Sequence, residues 1–496
     1  MAKKSLQTIL AEMEGENQLR RCLGPVSLTA LGVGAVIGAG IFVATGAAAK
    51  SVAGPALMVS YSMAGLICVF AALCYAEFAA MAPVAGSAYT YAYATMGELV
   101  AWIIGWDLVL EYAVGSATVA NGWSGYFQSV MAKVGIHVPT LFKTSPYIYN
   151  VETGEFLRTG AIINLPAVLI AIIVTTVLVV GIRESARFNA TMVIVKVAAV
   201  LFVIMVGVFF VRRENWDPFA PYGWTGLSFF GLPVAGQTNP KGEPLGMLAG
   251  AAIIFFAYIG FDSISTHAEE AKKPQRDVPI AIITSLLICT LLYVAVVAVL
   301  TGMVPYQNLS KDAGVSDAFR QAGLPWAEVI IAAAGVAGIT SVMLVMMLSA
   351  PRVFLAMARD GLLPTSFFAA VHPKFRTPWK STIAVGAGVC LMAGFLPIDS
   401  LLHLTNIGTL FAFVLVCGSV LVMRKTNPDA VRPFRCPLVP VVPILGIAGC
   451  LLLMLSLPAA NWWRLFAWLG IGMIIYWTYS RHHSKIGKQL RSVGRT

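Results

Sequence analysis

Apolar residues run along this chain in long blocks bounded by charged or turn residues. Crossing about 30 Å of hydrocarbon takes about 20 helical residues at 1.5 Å each. Twelve blocks suit such a crossing: 26–49, 56–81, 99–128, 165–180, 188–211, 246–265, 278–304, 325–357, 381–396, 402–423, 439–457 and 461–479. The pattern predicts an all-α membrane protein with twelve transmembrane helices in a single transmembrane domain, 23–480. A cytoplasmic segment (1–22) precedes it and a basic cytoplasmic tail (481–496) follows. The connections 139–160 and 216–244 are rich in Pro, Gly and aromatics and read as outer loops or interfacial turns.

Composition agrees with a lipid setting. Hydrophobic residues make up 58% of the 496 positions and charged ones 11%, where a soluble domain carries roughly 25% charged residues. The polar start, with Lys3, Lys4, Glu12, Glu14, Glu16, Arg20 and Arg21, is unlike a cleaved signal peptide, so the first block is expected to stay in the mature protein. A net charge of +11 raises the question of nucleic acid. The cations lie in short loops between apolar blocks, however, as orientation signals do, and no nucleic-acid partner is expected. With both termini inside, 23 of the 34 Lys and Arg side chains fall on the cytoplasmic face and ten outside, with Lys196 left within a span. That excess predicts a multi-pass protein of the plasma membrane with both termini cytoplasmic. Trp102, Trp326, Trp462 and Trp463 sit near span ends and read as headgroup anchors.

The eight cysteines and six histidines show no metal-ligand spacing, so neither a metal nor a cofactor is expected. Most of the cysteines read as small hydrophobes inside apolar blocks.

Two spans look breakable. The first carries Gly38-Ala39-Gly40-Ile41-Phe42 near its middle, and the sixth carries Phe256-Ala257-Tyr258-Ile259-Gly260-Phe261-Asp262. Gly weakens a helix by up to about 1 kcal/mol relative to Ala. Gly38 lies 12 residues in from Val26, about 18 Å at helical rise, and Ala257 lies 11 residues in from Gly246 on the opposite side, about 16 Å. Both breaks therefore land near the midplane. Unwound backbone at that depth is tolerated where it lines a cavity, and a pair of such breaks points to a transporter built on inverted repeats. Free amides after Gly38 suit a carboxylate, and the carbonyls of Val36, Phe256, Ala257 and Ile259 suit an ammonium. Together these describe the backbone end of an amino acid. Gly34-x-x-x-Gly38 is equally a helix-packing spacing, so glycine content alone leaves the cavity open.

These residues, with Ala72-Leu73-Cys74-Tyr75-Ala76-Glu77, Gly86-Ser87-Ala88-Tyr89-Thr90-Tyr91 and Arg359-Asp360-Gly361-Leu362-Leu363-Pro364, resemble the cationic amino acid transporter branch of the amino acid–polyamine–organocation superfamily. The resemblance implies a LeuT-like fold, with spans one to five and six to ten as inverted repeats, two appended helices, and helices 1 and 6 broken. It implies substrate-binding positions at Val36, Ile37, Gly38, Ala39, Gly40, Phe256, Ala257, Ile259 and Gly260, with the carboxylate on the amides of Ala39 and Gly40.

An ionisable residue inside a span is costly to bury, and Asp107, Glu111, Lys196 and Asp262 are therefore proton-coupling candidates. Asp107 and Glu111 share a helix face, at a depth where either can pair with Lys196 as a structural brace. A lysine taken out of water can instead become an exchangeable proton carrier. The resemblance places Lys196 beside the first break, near hydroxyls of span eight for which Thr340 and Ser341 are the candidates, and so favours proton over sodium coupling. Met346 on the same span is the expected wall for the substrate side chain, which favours small neutral amino acids over arginine.

No acid, base or metal constellation falls at one depth, so an enzyme is not expected. A channel would want repeated rings of carbonyls or charge. The expected function is proton-coupled uptake of small neutral L-amino acids, with an exchanger or a cationic amino acid or polyamine permease as the alternative. Its partners are then the amino acid, the proton and the bilayer, with the protein acting alone or beside a small membrane helper subunit.

Overall fold

A computed structural model of the chain describes residues 23–82, 87–149, 156–180, 185–230, 232–240, 242–268, 271–310, 314–375 and 377–488. The expected cytoplasmic segment 1–22, Gly86 of the motif quoted above and the end of the basic tail lie outside these residues.

Apart from the short turns Thr45–Ala48, Thr365–Phe368 and Arg481–His483, the α-helices among the described residues begin with α1 (Pro25–Val36), α2 (Leu57–Met81), α3 (Ser87–Thr95), α4 (Glu98–Lys133) and α5 (Leu165–Val180). They continue with α6 (Ser185–Gly207), α7 (Met247–Ile254), α8 (Ser263–Thr266), α9 (Pro274–Met303) and α10 (Gly314–Gln321). The last five are α11 (Pro325–Arg359), α12 (Trp379–Phe395), α13 (Ile398–Thr426), α14 (Val441–Leu455) and α15 (Ala459–Ile475). Pro stands in the first turn of α1, α9 and α11, where its missing N–H leaves no helical bond unmade.

Seven helical stretches are long and apolar enough to cross a membrane, or eight with the bent pair Val441–Leu455 and Ala459–His483, whose axes turn by 113°. Leu165–Val180 and Trp379–Phe395 are shorter apolar helices. The protein is an all-α, multi-pass membrane protein. The stretches differ in what surrounds them. Met247–Thr266 is 94% buried and lies inside the bundle, whereas Thr191–Phe210 is 33% buried and turns its apolar side chains outward. Helices α11 and α13 pack on α4, while α9 packs on α2 and α1.

The connections 139–160 and 216–244 fold as short antiparallel ribbons. Tyr147–Tyr149 pairs with Phe156–Arg158, Leu227–Phe229 with Leu232–Ala235, and Gln237–Thr238 with Pro244–Leu245. The second connection is tied to the core, since Gly246 N–H donates to Val52 O at 2.9 Å and Tyr222 hydroxyl to Lys50 O at 2.8 Å.

Trp102 departs from its expected place at the headgroups. It is fully buried, stacks on Trp106 at 5.7 Å and donates its indole N–H to Gly472 O at 2.9 Å, so it fastens α15 to α4. Trp463 and Trp326 are exposed at helix starts, as headgroup anchors require.

At the last turn of α2, Glu77 forms a buried knot. Its carboxylate accepts Arg424 Nε at 3.0 Å and Nη2 at 2.7 Å, Arg432 Nε at 3.2 Å, and Cys436 N–H at 2.8 Å. Arg432 also donates to the carbonyls of Asn427, Pro428 and Ala430 beyond the end of α13. A buried charge needs this density of partners.

Candidate substrate and coupling site

Each break follows from local backbone demands. Helical bonding in α1 ends with Ile37 N–H on Val33 O at 3.0 Å, and Ile37, with ψ of 105°, leaves the helix. The chain resumes at Gly40–Ala44 as a wide π-helical turn, whose Phe42 N–H reaches back to Gly38 O at 3.2 Å. In the second break α7 tightens into the 3-10 turn Phe255–Tyr258, Ile259 extends, and Gly260 takes φ of +121°, a conformation that L side chains rarely adopt.

The two breaks touch, backbone on backbone. A Cβ placed on Gly40 would lie 2.2 Å from Ala257 Cα, and one on Gly260 would lie 2.8 Å from Ala35 O. Gly38 is covered by Val342 of α11, whose Cγ2 would be 2.5 Å from an added Cβ. The predicted positions Val36, Ile37, Gly38, Ala39, Gly40, Phe256, Ala257, Ile259 and Gly260 thus form one buried group.

Interrupted helices leave carbonyls to be satisfied, and most of the groups that do so were not foreseen. Tyr293 hydroxyl lies 2.8 Å from Val36 O and 3.0 Å from Ala257 O, so it bridges two of the four carbonyls assigned to an ammonium. A third, Phe256 O, accepts Ile259 N–H at 3.3 Å. A carbonyl oxygen has two lone pairs, so each keeps room for a second donor. Asn406 Nδ2 takes the carbonyls of Ala252 and Ile253 at the end of α7, at 3.0 and 2.8 Å. Across the first break, Tyr61 hydroxyl donates to Gly40 O at 3.2 Å and Tyr126 hydroxyl to Phe42 O at 2.6 Å. The available signal was a set of tyrosines inside apolar spans, whose hydroxyls need partners once buried.

Lys196 is fully buried and donates through Nζ to Gly34 O, to Ile37 O at 3.0 Å and to Ser341 Oγ at 3.4 Å. It therefore stands against the end of α1, beside the break. The geometry chooses between the alternatives left open. Among the described residues Lys196 forms no ion pair with Glu111 or Asp107, because the carbonyls at the end of α1 take its ammonium protons. Thr340 turns instead to Trp123, whose indole N–H it accepts at 2.9 Å, which leaves Ser341 as the hydroxyl on Lys196.

The carboxyls group elsewhere. Asp262 accepts Gly260 N–H at 3.1 Å and the hydroxyl of Tyr112 from α4, which staples the second break to that helix. Glu111 lies near Asp262, Asp107 and Thr409, and Asp107 faces Gly408 of α13. Among the described residues Asp107 has no hydrogen-bond partner at either oxygen, and both Asp107 and Glu111 are buried. Carboxyls so placed repel one another if all are ionised.

Met346 is buried one helical turn beyond Val342, with its sulfur 3.2 Å from the position of a Cβ on Gly115. One face of α11 thus covers the first break with Val342 and reaches α4 with Met346.

Residues 23–477 match the family described as Amino acid permease. This chain belongs to that family. Within it, the permease is 47% identical over 487 residues to the branched-chain amino acid permease BcaP of Bacillus subtilis, covering 98% of both chains. It is 43% identical over 486 residues to the methylthioribose transporter of the same organism, covering 98% of this chain and 99% of that one. It is 38% identical over 425 residues to cationic amino acid transporter 4 of Homo sapiens, covering 84% of this chain and 62% of the human protein. Membership bears out the resemblance to the amino acid–polyamine–organocation superfamily and makes the protein a transporter rather than an enzyme.

Proposed function

We propose that this permease is a secondary active transporter that takes up neutral L-amino acids together with a proton across the plasma membrane. The observation that carries the reading is the contact of two unwound backbones at Gly40 and Ala257, with Val36 O and Ala257 O close enough to share the Tyr293 hydroxyl. In this reading the carboxylate sits on the amides of Ala39 and Gly40. The ammonium takes the free lone pairs of Val36, Ala257 and Ile259 carbonyls, and the side chain points toward Met346. The relative BcaP, by its name a branched-chain permease, supports a neutral, apolar side chain over a cationic one.

Twelve crossings are consistent with the helices. The stretch Pro25–Met81 has 57 residues, about 86 Å at helical rise, far beyond one crossing. It divides at Gly54, where φ is +62°. Counting it twice, the bent pair as two and the two shorter apolar helices as one each gives two sets of five and two more, the count a LeuT-like repeat requires. The broken helices then meet near the midplane and both termini face the cytoplasm.

Lys196 is the proton carrier in this scheme. Its ammonium reads the state of the first break through Gly34 O and Ile37 O, so a change at the break and a change in protonation are linked. Asp262 holds the second break through Tyr112 and Gly260, with Glu111 and Asp107 as neighbouring carboxyls.

Uptake into proteoliposomes, with alanine, leucine, arginine and methylthioribose as competitors and with or without an inward proton gradient, tests the reading. Neutral amino acids should compete and the gradient should drive accumulation. In Lys196→Ala the gradient dependence should disappear. Full gradient dependence in that variant overturns proton carriage by Lys196, strong competition by arginine alone overturns the neutral substrate, and uptake that requires internal amino acid makes the protein an exchanger.

A further inference from the structure

Apart from the transport path, a cavity of about 340 Å³ opens where α9 begins. One side is Gln275, Arg276, Pro279, Ile280 and Ile283 from the first turns of α9, and the other is Pro433 and Phe434 from the connection after α13. Both sides are held firmly. Arg432 fastens the connection to Glu77 and to the carbonyls of Asn427 and Pro428, at 3.2, 2.7 and 2.9 Å. Ahead of α9, Lys272 N–H donates to Leu23 O at 2.8 Å, so this corner also clasps the head of α1.

The chemistry of the groove is two-sided. Its interior is apolar, and Ile280 continues along α9 to Leu287 and Leu291, which are 49% and 73% exposed on a face of the bundle that only lipid tails would cover. Its mouth is cationic. Arg276 lines it with Gln275, Lys272 and Lys273 stand just ahead, and Arg435 follows Phe434. Among the described residues none of these four cations has an ion-pair partner.

We propose that this groove binds an anionic phospholipid of the adjoining leaflet. The phosphate lies at Arg276 and Gln275, and one acyl chain enters between Ile283 and Phe434 and runs on along Leu287 and Leu291. A neutral lipid would leave the unpaired cations unanswered and a free phosphate would leave the slot empty. An anionic lipid meets both, as basic pockets between membrane helices generally do. Because the corner also holds Leu23, an occupant braces α9 and α1 together.

The test is the melting temperature of the purified full-length protein in detergent, titrated with phosphatidylglycerol, phosphatidylcholine or inorganic phosphate. Phosphatidylglycerol should raise it saturably and the other two should not. Arg276→Gln should raise the half-saturating phosphatidylglycerol concentration about fivefold, the weight of one cation near an anionic headgroup. Ile283→Trp, which keeps every cation, should remove the saturable rise and reads the apolar half even if Arg276→Gln does not fold. An equal effect of phosphatidylcholine would reduce the groove to ordinary lipid packing, and an equal effect of phosphate would make it a free-anion site. Wild-type half-saturation in both variants would overturn the proposal. Uptake is scored separately: a failed titration with intact uptake removes only the lipid site, and intact titration with failed uptake removes only the transport reading.

Discussion

Adding one methyl group at Gly40 is the sharpest test of the paired breaks. The methyl of Gly40→Ala would stand 2.2 Å from Ala257 Cα and 2.4 Å from Ala257 Cβ, where carbon atoms rest at about 3.5–4.0 Å. More than 1 Å of separation must open between two backbones, neither of which has a rotamer to move aside. Overpacking costs about 1–3 kcal/mol, and a rigid contact belongs at the upper end. About 3 kcal/mol is a factor of roughly 150 in the population of the closed arrangement. Elsewhere in a helix the same exchange is worth up to about 1 kcal/mol of added stability. Gly388→Ala and Gly470→Ala, with nothing within 4 Å of the new methyl, are therefore the controls. Initial uptake per mole of protein should fall by at least tenfold in Gly40→Ala and stay within twofold in the controls, with thermal unfolding in detergent measured alongside. A Gly40→Ala protein with wild-type uptake and stability would show that the two breaks do not meet.

Glu77→Gln should destabilise the protein by about 3–5 kcal/mol, because Arg432, 2% exposed, loses its anion in a buried setting; an unchanged melting temperature refutes the knot. Tyr293→Phe keeps the ring contacts with Tyr61 and Tyr258, at 5.4 and 5.5 Å, but removes the hydroxyl between the breaks. A loss of about 1 kcal/mol in detergent unfolding is expected, and no loss means the hydroxyl does not join them. Met346→Ala opens space in front of Gly115, so leucine and phenylalanine should gain on alanine as competitors by about tenfold. An unchanged ranking removes Met346 from the side-chain wall.

The membrane class and the paired breaks were legible because each rests on a local rule. Long apolar blocks at low charge read as lipid spans, and Gly38, Gly40 and Gly260 sit where an added Cβ meets atoms within 3 Å. What satisfies the freed carbonyls was not legible. Tyr293 and Asn406 are single polar tips in apolar spans, and their targets are set by helix packing across 36 to 257 residues of sequence. Lys196 stands beside the first break, where the resemblance put it. The alternative of a brace with Glu111 rested on depth along the chain alone, and rotation about the helix axis, which depth does not report, turns Lys196 to the end of α1. Trp102 shows a third limit: a residue near a span end looks like an interface anchor until a neighbouring helix, here α15, covers it.

The bare contacts of Gly40 with Ala257 and of Gly260 with Ala35 have a mechanical consequence. Side chains that interlock resist sliding and make a packed core rigid. Smooth peptide surfaces have no teeth to disengage, so the broken segments after α1 and α7 meet where little resists gliding or tilting, while the knotted ends of α2 and α13 hold still. The fold places this bearing where the proposed function seats the amino acid.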